Sequence, residues 1–246
     1  MHIIDIEAHF GPMSKMPRSF LTEQDICTYM DTYGIQKVAA YHQDALRDAE
    51  SGNRKILELS TNNDRIFPVY VIDPPIESAY LRDQDTLARI LSGGAKAVRL
   101  FPKNARCQLH PLYVGEIFSV FEEMQIPVLL EFGQCDLALL PQILEAFPKL
   151  RLVLLRFGLR HSRYIYLILK RYENVKFGTG FMADVEVLDD YVDRYGTGRF
   201  VFTAGIPQYD PCGAIAMVLG LPISDTEKEK IFSGNFLTMI QEIRKI

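Results

Sequence analysis

Asp5, Glu7 and His9 alternate with apolar residues in the opening stretch IIDIEAHF. Residues two apart on a β-strand share one face, so we expect these three side chains to point the same way. Carboxylate and imidazole groups gathered in this manner can bind a metal ion or move a proton. The opening stretch therefore predicts a site where chemistry takes place.

Further polar residues close later apolar runs of the chain. His42 follows KVAAY, Arg99 lies in AVRLF, Glu131 lies in VLLEF and Arg156 lies in VLLRF. Glu and Arg are seldom fully buried unless they are paired. Charged residues at the ends of apolar strands are therefore hard to explain as packing, and they are candidates for the same site.

Eight short apolar runs alternate with longer amphipathic stretches. The predicted strands cover residues 3–6, 37–40, 67–72, 95–101, 127–132, 151–157, 174–180 and 199–204. The predicted helices cover residues 23–33, 44–60, 78–92, 112–124, 137–147, 163–172 and 185–196. Eight such units in 246 residues match the size of a (β/α)8 barrel, with a parallel sheet covered by helices. We therefore predict a single TIM-barrel domain over residues 1–246, with its site at the C-terminal ends of the strands.

A doubly wound open sheet has the same alternation and is the alternative fold. For a dinucleotide it would need a GxGxxG turn after the first strand, and the chain has none there. In the tail, Ser224 and Glu227 predict the start of a helix with a capping box. Gly234 predicts a break before the last helix.

The composition, with 48% hydrophobic and 24% charged residues, is that of an ordinary soluble globular protein. A net charge of −4 offers no basic surface for nucleic acid or an anionic membrane. No apolar run approaches the roughly 18 residues that cross a bilayer, and no secretion signal is visible. The cysteines are scattered, without disulfide or zinc spacing. We expect a cytoplasmic protein whose partner is a small-molecule substrate or ligand, and which could form a homo-oligomer.

Six separated segments resemble, in order, motifs of the amidohydrolase-related TIM barrels, the branch that includes aminocarboxymuconate-semialdehyde decarboxylase. IIDIEAHFG is similar to a D-x-H-x-H start, GGAKAVRLFP to a G-x-x-G-V-K/R-L strand, and IPVLLEFG to P-V-x-x-H-x-G. PKLRLVLLRFG is similar to P-x-L-x-x-V-x-x-H-x-G, FVFTAGIP to F-G-S-D-x-P, and IFSGNFLTMI to the closing G-G-N-A-x-R-L helix. The resemblance runs nearly end to end and implies a barrel of the metallo-dependent hydrolase type.

The resemblance also implies where a divalent cation would be held. Family members use two histidines of the first strand, a histidine on the fifth or sixth strand and an aspartate on the eighth. These positions are Glu7, His9, Glu131, Arg156 and Gly205 here, so only His9 matches, although decarboxylase members also have Glu-x-His on the first strand. Arg156 would place a permanent cation beside the metal ion, and Gly205 removes the usual base for metal-bound water. We therefore predict no tightly bound metal and no other cofactor.

These substitutions make sense as a set if Arg156 replaces the metal ion electrostatically. Its guanidinium would pair with Glu7 and Glu131 in a charge-assisted contact. On this hypothesis Glu7, His9 and Glu131 form the catalytic set, with the Glu7–His9 pair acting as base or acid on water. Arg99, Arg156 and His42 would bind a small anionic substrate, such as a lactone or a carboxylated ester.

Two alternatives stay open at this point. In the first, the barrel is an inactive family member that binds a small ligand or a partner, and Glu131 with Arg156 is a structural ion pair. In the second, zinc or manganese held by Glu7, His9 and Glu131 supports a decarboxylation. The first alternative predicts ligand binding without turnover, and the second predicts stoichiometric metal in the purified protein.

Overall fold

The computed structural model describes residues 1–12, 22–73, 87–88, 91–158, 161–181 and 185–244. Its strands form one sheet in which each strand pairs in parallel with the next strand along the chain. The strands are β1 (Ile4–Phe10), β2 (Lys37–His42), β3 (Ile66–Val71), β4 (Ala97–Leu100), β5 (Val128–Glu131), β6 (Leu152–Leu155), β7 (Val175–Gly178) and β8 (Phe200–Val201). All eight lie where the apolar runs predict them.

The two ends of this sheet meet. The backbone N–H of Ile6 donates to the carbonyl of Phe202 at 3.4 Å, and that of His9 donates to the carbonyl of Ile206 at 3.1 Å. These bonds join β1 to the segment that follows β8. The sheet is therefore a nearly closed barrel, so the predicted (β/α)8 fold is confirmed and the open sheet is excluded.

Helices cover the outside of the barrel. They are α1 (Glu23–Tyr33), α2 (Ala49–Asn62), α3 (Pro111–Met124), α4 (Leu140–Ala146), α5 (Ser162–Arg171), α6 (Val185–Tyr195) and α7 (Cys212–Leu219). The helix predicted over residues 78–92 falls mostly outside the described residues. Within the described part of the chain, no helix combines the length and apolar character that a bilayer crossing requires.

Local capping signals explain where these helices begin and end. At the start of α1, Thr22 and Asp25 form a capping box, in which each side chain accepts from the other residue's backbone N–H. The same helix ends at Gly34, whose φ of 68° suits a residue without a Cβ atom. Pro111 lies in the first turn of α3, where its missing N–H costs nothing.

The C-terminal tail packs Phe236 and Met239 into the buried cluster that contains Ile4 and Ile6 of β1. Ser224 accepts from the N–H of Glu227 at 3.3 Å and so caps α8 (Asp225–Glu229), as predicted. The predicted capping box is incomplete, because the Glu227 carboxylate accepts from Thr197 Oγ1 and Lys230 Nζ and not from the backbone N–H of Ser224. A π-helical turn (Lys230–Gly234) then continues into α9 (Asn235–Gln241). The predicted break at Gly234 is wrong, because this glycine adopts right-handed helical angles, with a φ of −57°, and the helix passes through it.

One irregularity in β1 decides which side chains face the barrel interior. Asp5 pairs with Val38 of β2, but Ala8 already pairs with Ala40, so three steps on β1 match two on β2. Before this bulge, Ile4 and Ile6 pack inside the barrel, whereas after it Ala8 and Phe10 pack against the helices. The extra residue shifts the alternation, so Glu7 and His9 face inward and Asp5 lies on the opposite face. The expectation that all three point the same way is wrong for Asp5.

Asp5 instead bonds β1 to the segment that follows β8, where the barrel closes. Its buried carboxylate accepts from the backbone N–H groups of Ala204 at 2.8 Å, Glu7 at 3.0 Å and Ile206 at 3.3 Å. Burial raises the pKa of this carboxyl to about 6, although the bond from Ala204 opposes the shift and the charge of Glu7 adds to it. The residue therefore holds the bulge and the β8 segment together.

Candidate functional site

Two carboxylates and two guanidiniums meet inside the C-terminal end of the barrel. Arg99 on β4 donates from Nη2 to Glu131 Oε1 at 2.5 Å and lies 3.5 Å from Glu7 Oε1. Arg156, just after β6, donates from Nε to Glu7 Oε1 and lies 3.6 Å from Glu131 Oε1. The structure thus brings together Glu7, Glu131 and Arg156 as the sequence hypothesis requires, and it adds Arg99 to the same charge-balanced cluster.

The two arginines occupy different depths. The Arg99 side chain is 1% exposed, and its guanidinium carbon lies 5.1 Å from the ring centres of both Tyr41 and Phe101. The Arg156 side chain is 19% exposed, and its guanidinium carbon lies 5.5 Å from the ring of Phe181 and 5.3 Å from that of Tyr209. Arg99 is therefore the enclosed member of the cluster, and Arg156 borders the mouth.

Sequence reasoning did not single out these aromatic residues. Tyr41 pairs directly with His9, and Phe101 lies two residues after Arg99, so strand alternation could have found both. Phe181 and Tyr209 lie in the segments that follow β7 and β8, and no local pattern marks them.

Arg156 and Gly205 lie close together, and both have left-handed backbone conformations. The φ of Arg156 is 55°, which is uncommon for a residue with a side chain, and the φ of Gly205 is 73°. A Cβ atom on Gly205 would lie 3.0 Å from Cδ2 of Tyr209 and 3.8 Å from Nη2 of Arg156. The position at which the resemblance implies an aspartate therefore faces the Arg156 guanidinium.

His9 lies in the same interior, with 2% of its surface exposed and its ring centre 5.8 Å from that of Tyr41. Burial, followed by the positive charges of Arg99 and Arg156, lowers the pKa of His9 to about 3. The imidazole is therefore neutral at physiological pH. A neutral imidazole can orient a polar molecule, but with this pKa it is a weak proton acceptor.

Three buried polar atoms of this cluster have no hydrogen-bond partner within the described residues. They are Glu7 Oε2, His9 Nε2 and Arg99 Nε. Buried polar atoms in folded proteins are almost always bonded, so each exception calls for an explanation, such as a bound water, an ion or a catalytic role. The interior of the barrel mouth therefore presents three groups that a bound molecule could satisfy: a carboxylate oxygen that accepts, an imidazole nitrogen, and a guanidinium N–H that donates.

A resident divalent cation does not fit these residues. Among the residues that the structure describes, no group of three or more His, Cys, Asp or Glu side chains could hold a metal ion. Glu7 and Glu131 are instead bonded to guanidiniums, which carry a permanent positive charge. The alternative ligand set of Glu7, His9 and Glu131 is therefore not assembled.

His42, predicted to bind substrate, has its contacts elsewhere. Its Nδ1 accepts from the N–H of Asp44 at 3.2 Å and caps the short helical turn Gln43–Leu46. Burial lowers the pKa of its imidazole. The bonds found for His42 hold the loop after β2, and none of them reaches the charged cluster.

Comparisons with known proteins agree with this architecture. No family model matches the sequence, and no curated protein matches it. Among solved structures, a candidate amidohydrolase from Staphylococcus aureus has a TM-score of 0.77 at 14% identity, over 98% of this chain and 100% of that one. The chain has the fold of the amidohydrolase-like barrels.

Other solved structures with this amidohydrolase-like fold carry more specific names. A dihydroxybenzoic acid decarboxylase from Polaromonas sp. JS666, with bound manganese and the inhibitor 2-nitroresorcinol, has a TM-score of 0.75 at 15% identity, over 99% of this chain and 98% of that one. A candidate 2-pyrone-4,6-dicarboxylic acid hydrolase from Pseudomonas putida has a TM-score of 0.70 at 16% identity, over 98% of each chain. The neighbours are thus decarboxylases and hydrolases, and at these identities the likeness concerns the fold.

Proposed function

We propose that this barrel hydrolyses a small carboxylate-containing ester or lactone at its C-terminal mouth, without a resident metal ion. The observation that carries the proposal is the set of unpartnered buried atoms, Glu7 Oε2 and His9 Nε2, beside two guanidiniums. The neighbour named as a pyrone dicarboxylic acid hydrolase supports a lactone as the substrate class.

In this proposal Glu7 is the base that activates water. Its Oε1 is held by Arg156, which leaves Oε2 to take a proton from a water molecule that His9 Nε2 orients. The water oxygen attacks the carbonyl carbon, and the guanidiniums stabilise the negative charge that develops on the carbonyl oxygen. The bond between carbon and the leaving oxygen then breaks, and Glu7 returns the proton to that oxygen. An ester yields an acid and an alcohol, and a lactone yields one hydroxy acid.

The remaining predicted residues have supporting roles in this proposal. Glu131 holds the buried Arg99 in place through the 2.5 Å contact and so fixes the inner guanidinium. His42 receives no role in the reaction, because it caps the turn after β2.

Ligand binding without turnover is the second candidate function. It is favoured by the charge balance of the cluster, since each carboxylate that could act as a base is already paired with a guanidinium. The lowered pKa of His9 also weakens its use as a proton acceptor. An anionic molecule could then occupy the mouth without being transformed.

A turnover assay with matched carboxylate variants tests the proposal. Purified protein is incubated with a panel of carboxylated lactones and esters in the presence of EDTA, and product formation is followed by NMR. We expect Glu7→Gln to lower the rate by about 10²–10⁴-fold, the range for loss of a general base. Glu131→Gln is the matched control, because it removes the same charge from the same arginines and should lower the rate much less.

The outcomes separate the two functions. Undiminished hydrolysis in both Glu7→Gln and His9→Asn would refute the proposed roles. Complete absence of turnover across the panel, in protein that still binds a carboxylate, would favour the binding function. Activity lost on EDTA treatment and restored by zinc or manganese would contradict the metal-independent reaction.

A further inference from the structure

The terminal nitrogens of Arg156 make no hydrogen bond within the described part of the chain. Its Nε is engaged by Glu7, and its contact with Glu131 also runs through Nε. The two Nη groups at the end of the guanidinium are therefore the donors that remain. An end-on pair of N–H donors matches the two oxygens of a carboxylate in geometry.

Aromatic rings fix the orientation of this guanidinium. The rings of Phe181 and Tyr209 both lie within 5.5 Å of its central carbon. The two rings are themselves 4.6 Å apart, and their planes are perpendicular. Together with the bond from Nε to Glu7, these contacts hold the donor pair in one direction before any ligand arrives.

Gly205 adds no side chain beside this donor pair. A Cβ atom there would lie 3.8 Å from Nη2 of Arg156 and 3.0 Å from Tyr209. We therefore expect a side chain at position 205 to reduce the space beside the terminal nitrogens of Arg156, where a ligand oxygen would lie.

We propose that Arg156, Gly205, Phe181 and Tyr209 form a subsite for one carboxylate group of the ligand, with Gly205 setting its size. This inference rests on the proposed function and names the anchor point of its substrate. A monoanion fits better than a phosphate dianion, because Glu7 and Glu131 already balance the two arginines and each further negative charge is added next to theirs. Arg99 does not share this role, because its Nη2 is already bonded to Glu131 at 2.5 Å and lies 3.5 Å from Glu7.

Titration with benzoate as the probe tests this subsite. The dissociation constant is measured by calorimetry for the full chain, with benzamide as the neutral counterpart and inorganic phosphate as the dianion. We expect benzoate to bind more tightly than either. Arg156→Lys keeps the positive charge but loses the pair of parallel N–H donors that can bind both oxygens of a carboxylate. It should therefore weaken benzoate binding by about tenfold or more.

A second arginine provides the matched control. Arg171 on α5 also lies over a tyrosine ring, at 5.7 Å from Tyr172, and pairs with Glu145 at 2.8 Å, but it lies outside the barrel. Arg171→Lys should leave benzoate binding unchanged. Gly205→Ala should weaken benzoate binding as Arg156→Lys does, and its thermal unfolding is recorded to check that it folds.

A fluorescence reporter keeps the inference testable if Gly205→Ala does not fold. The chain has no tryptophan, so Tyr209→Trp introduces a single reporter that retains a ring over Arg156. We expect its emission to change on addition of benzoate and not of benzamide.

The results of these titrations support or overturn the proposed carboxylate subsite. No benzoate binding by the wild-type chain, equal binding by Arg156→Lys, or tighter binding of phosphate than of benzoate would each overturn the subsite. Hydrolysis with unchanged kinetics in Arg156→Lys would contradict the subsite, whereas the hydrolase proposal would still be judged by Glu7→Gln and His9→Asn. Benzoate binding that depends on Arg156, in a chain without turnover, would support the subsite and contradict the hydrolase proposal.

Discussion

Arginines at the two ends of this barrel have different partners. At the N-terminal end, Arg199 donates to the backbone carbonyls of Leu169 at 2.8 Å, Tyr172 at 2.6 Å and Val175 at 3.1 Å. At the C-terminal mouth, Arg99 and Arg156 donate to carboxylates instead. The first arrangement ties strand and helix ends together, and the second gathers opposite charges around a mouth.

The difference shows how one residue type serves stability at one end and a site at the other. Backbone carbonyls are neutral acceptors that the fold itself supplies, so Arg199 connects α5 to β7 and has no charged partner in these bonds. Carboxylates bring their own charge and further acceptor atoms, and one of these, Glu7 Oε2, has no partner among the described residues. The mouth is therefore the end of the barrel where binding and chemistry are expected.

The largest effect is expected from removing the buried charge at the mouth. Arg99→Met leaves Glu7 and Glu131 facing each other with one cation fewer. Removal of one partner from a buried ion pair typically costs about 3–5 kcal/mol, because the remaining charge is uncompensated. We expect a loss of this size in the free energy of unfolding, measured by urea denaturation.

A double variant separates the charge effect from lost packing. Arg99→Met combined with Glu131→Gln should recover part of the lost free energy, because one unpaired carboxylate is removed. Arg199→Met at the opposite end should cost about 1–3 kcal/mol through its lost hydrogen bonds. If Arg99→Met cost no more than Arg199→Met and Glu131→Gln gave no recovery, the contrast between the two ends would fail.

The pH dependence of stability should reveal the mouth as the acid-sensitive end. An unfolded histidine titrates near 6.5, whereas His9 in the fold titrates near 3, so between these values only the unfolded chain binds the proton. The contribution of the neutral His9 to the free energy of unfolding is thus fully present above pH 6.5, and it is lost as the pH falls towards 3. Between pH 7 and pH 5 we expect a loss of about 2 kcal/mol that is absent in His9→Asn.

Asp5 has the opposite effect on the pH dependence of stability, and it is present in both the wild type and His9→Asn. Its pKa is raised to about 6, so its contribution to stability grows as the pH falls from above 6 to below 3.8. Comparing wild type with His9→Asn by urea denaturation at each pH cancels this term. Identical pH profiles for the two proteins would contradict a lowered pKa for His9.

The smallest effect is expected from Tyr41→Phe. The Tyr41 hydroxyl accepts from Nε2 of the buried Gln43 at 2.8 Å, while its ring lies over Arg99. The substitution removes the hydrogen bond and keeps the ring, so it should cost about 1 kcal/mol. A much larger loss would show that the hydroxyl, and not only the ring, supports the inner guanidinium.

The fold could be predicted because each element carries a local signal. The apolar runs that predict β1 to β8 are buried in the barrel, and the pattern over residues 23–33 predicts α1 with both ends correct. Of the site, the pairing of Glu7 and Glu131 with Arg156 follows from charge complementarity at strand ends, and the structure brings these residues together. Their roles in a reaction stay predictions.

The remaining features of the site depend on pairing between distant segments. The bulge in β1 exists only relative to β2, so the spacing of Asp5, Glu7 and His9 could not reveal it. The sequence marks Arg99 as a substrate-binding candidate but does not reveal its pairing with both carboxylates, because a strand position does not tell how many charges meet in the interior.

By itself the sequence determined the order of strands and helices and the charged residues that end the strands, because periodicity and residue type are local properties. Only the tertiary structure decided which charges meet, since Glu7 and Arg156 are 149 residues apart and come together when the barrel closes. It also placed Tyr209 and Phe181 over Arg156 and Gly205 beside it. Such contacts depend on the closed geometry of eight strands, which no single stretch of the chain contains.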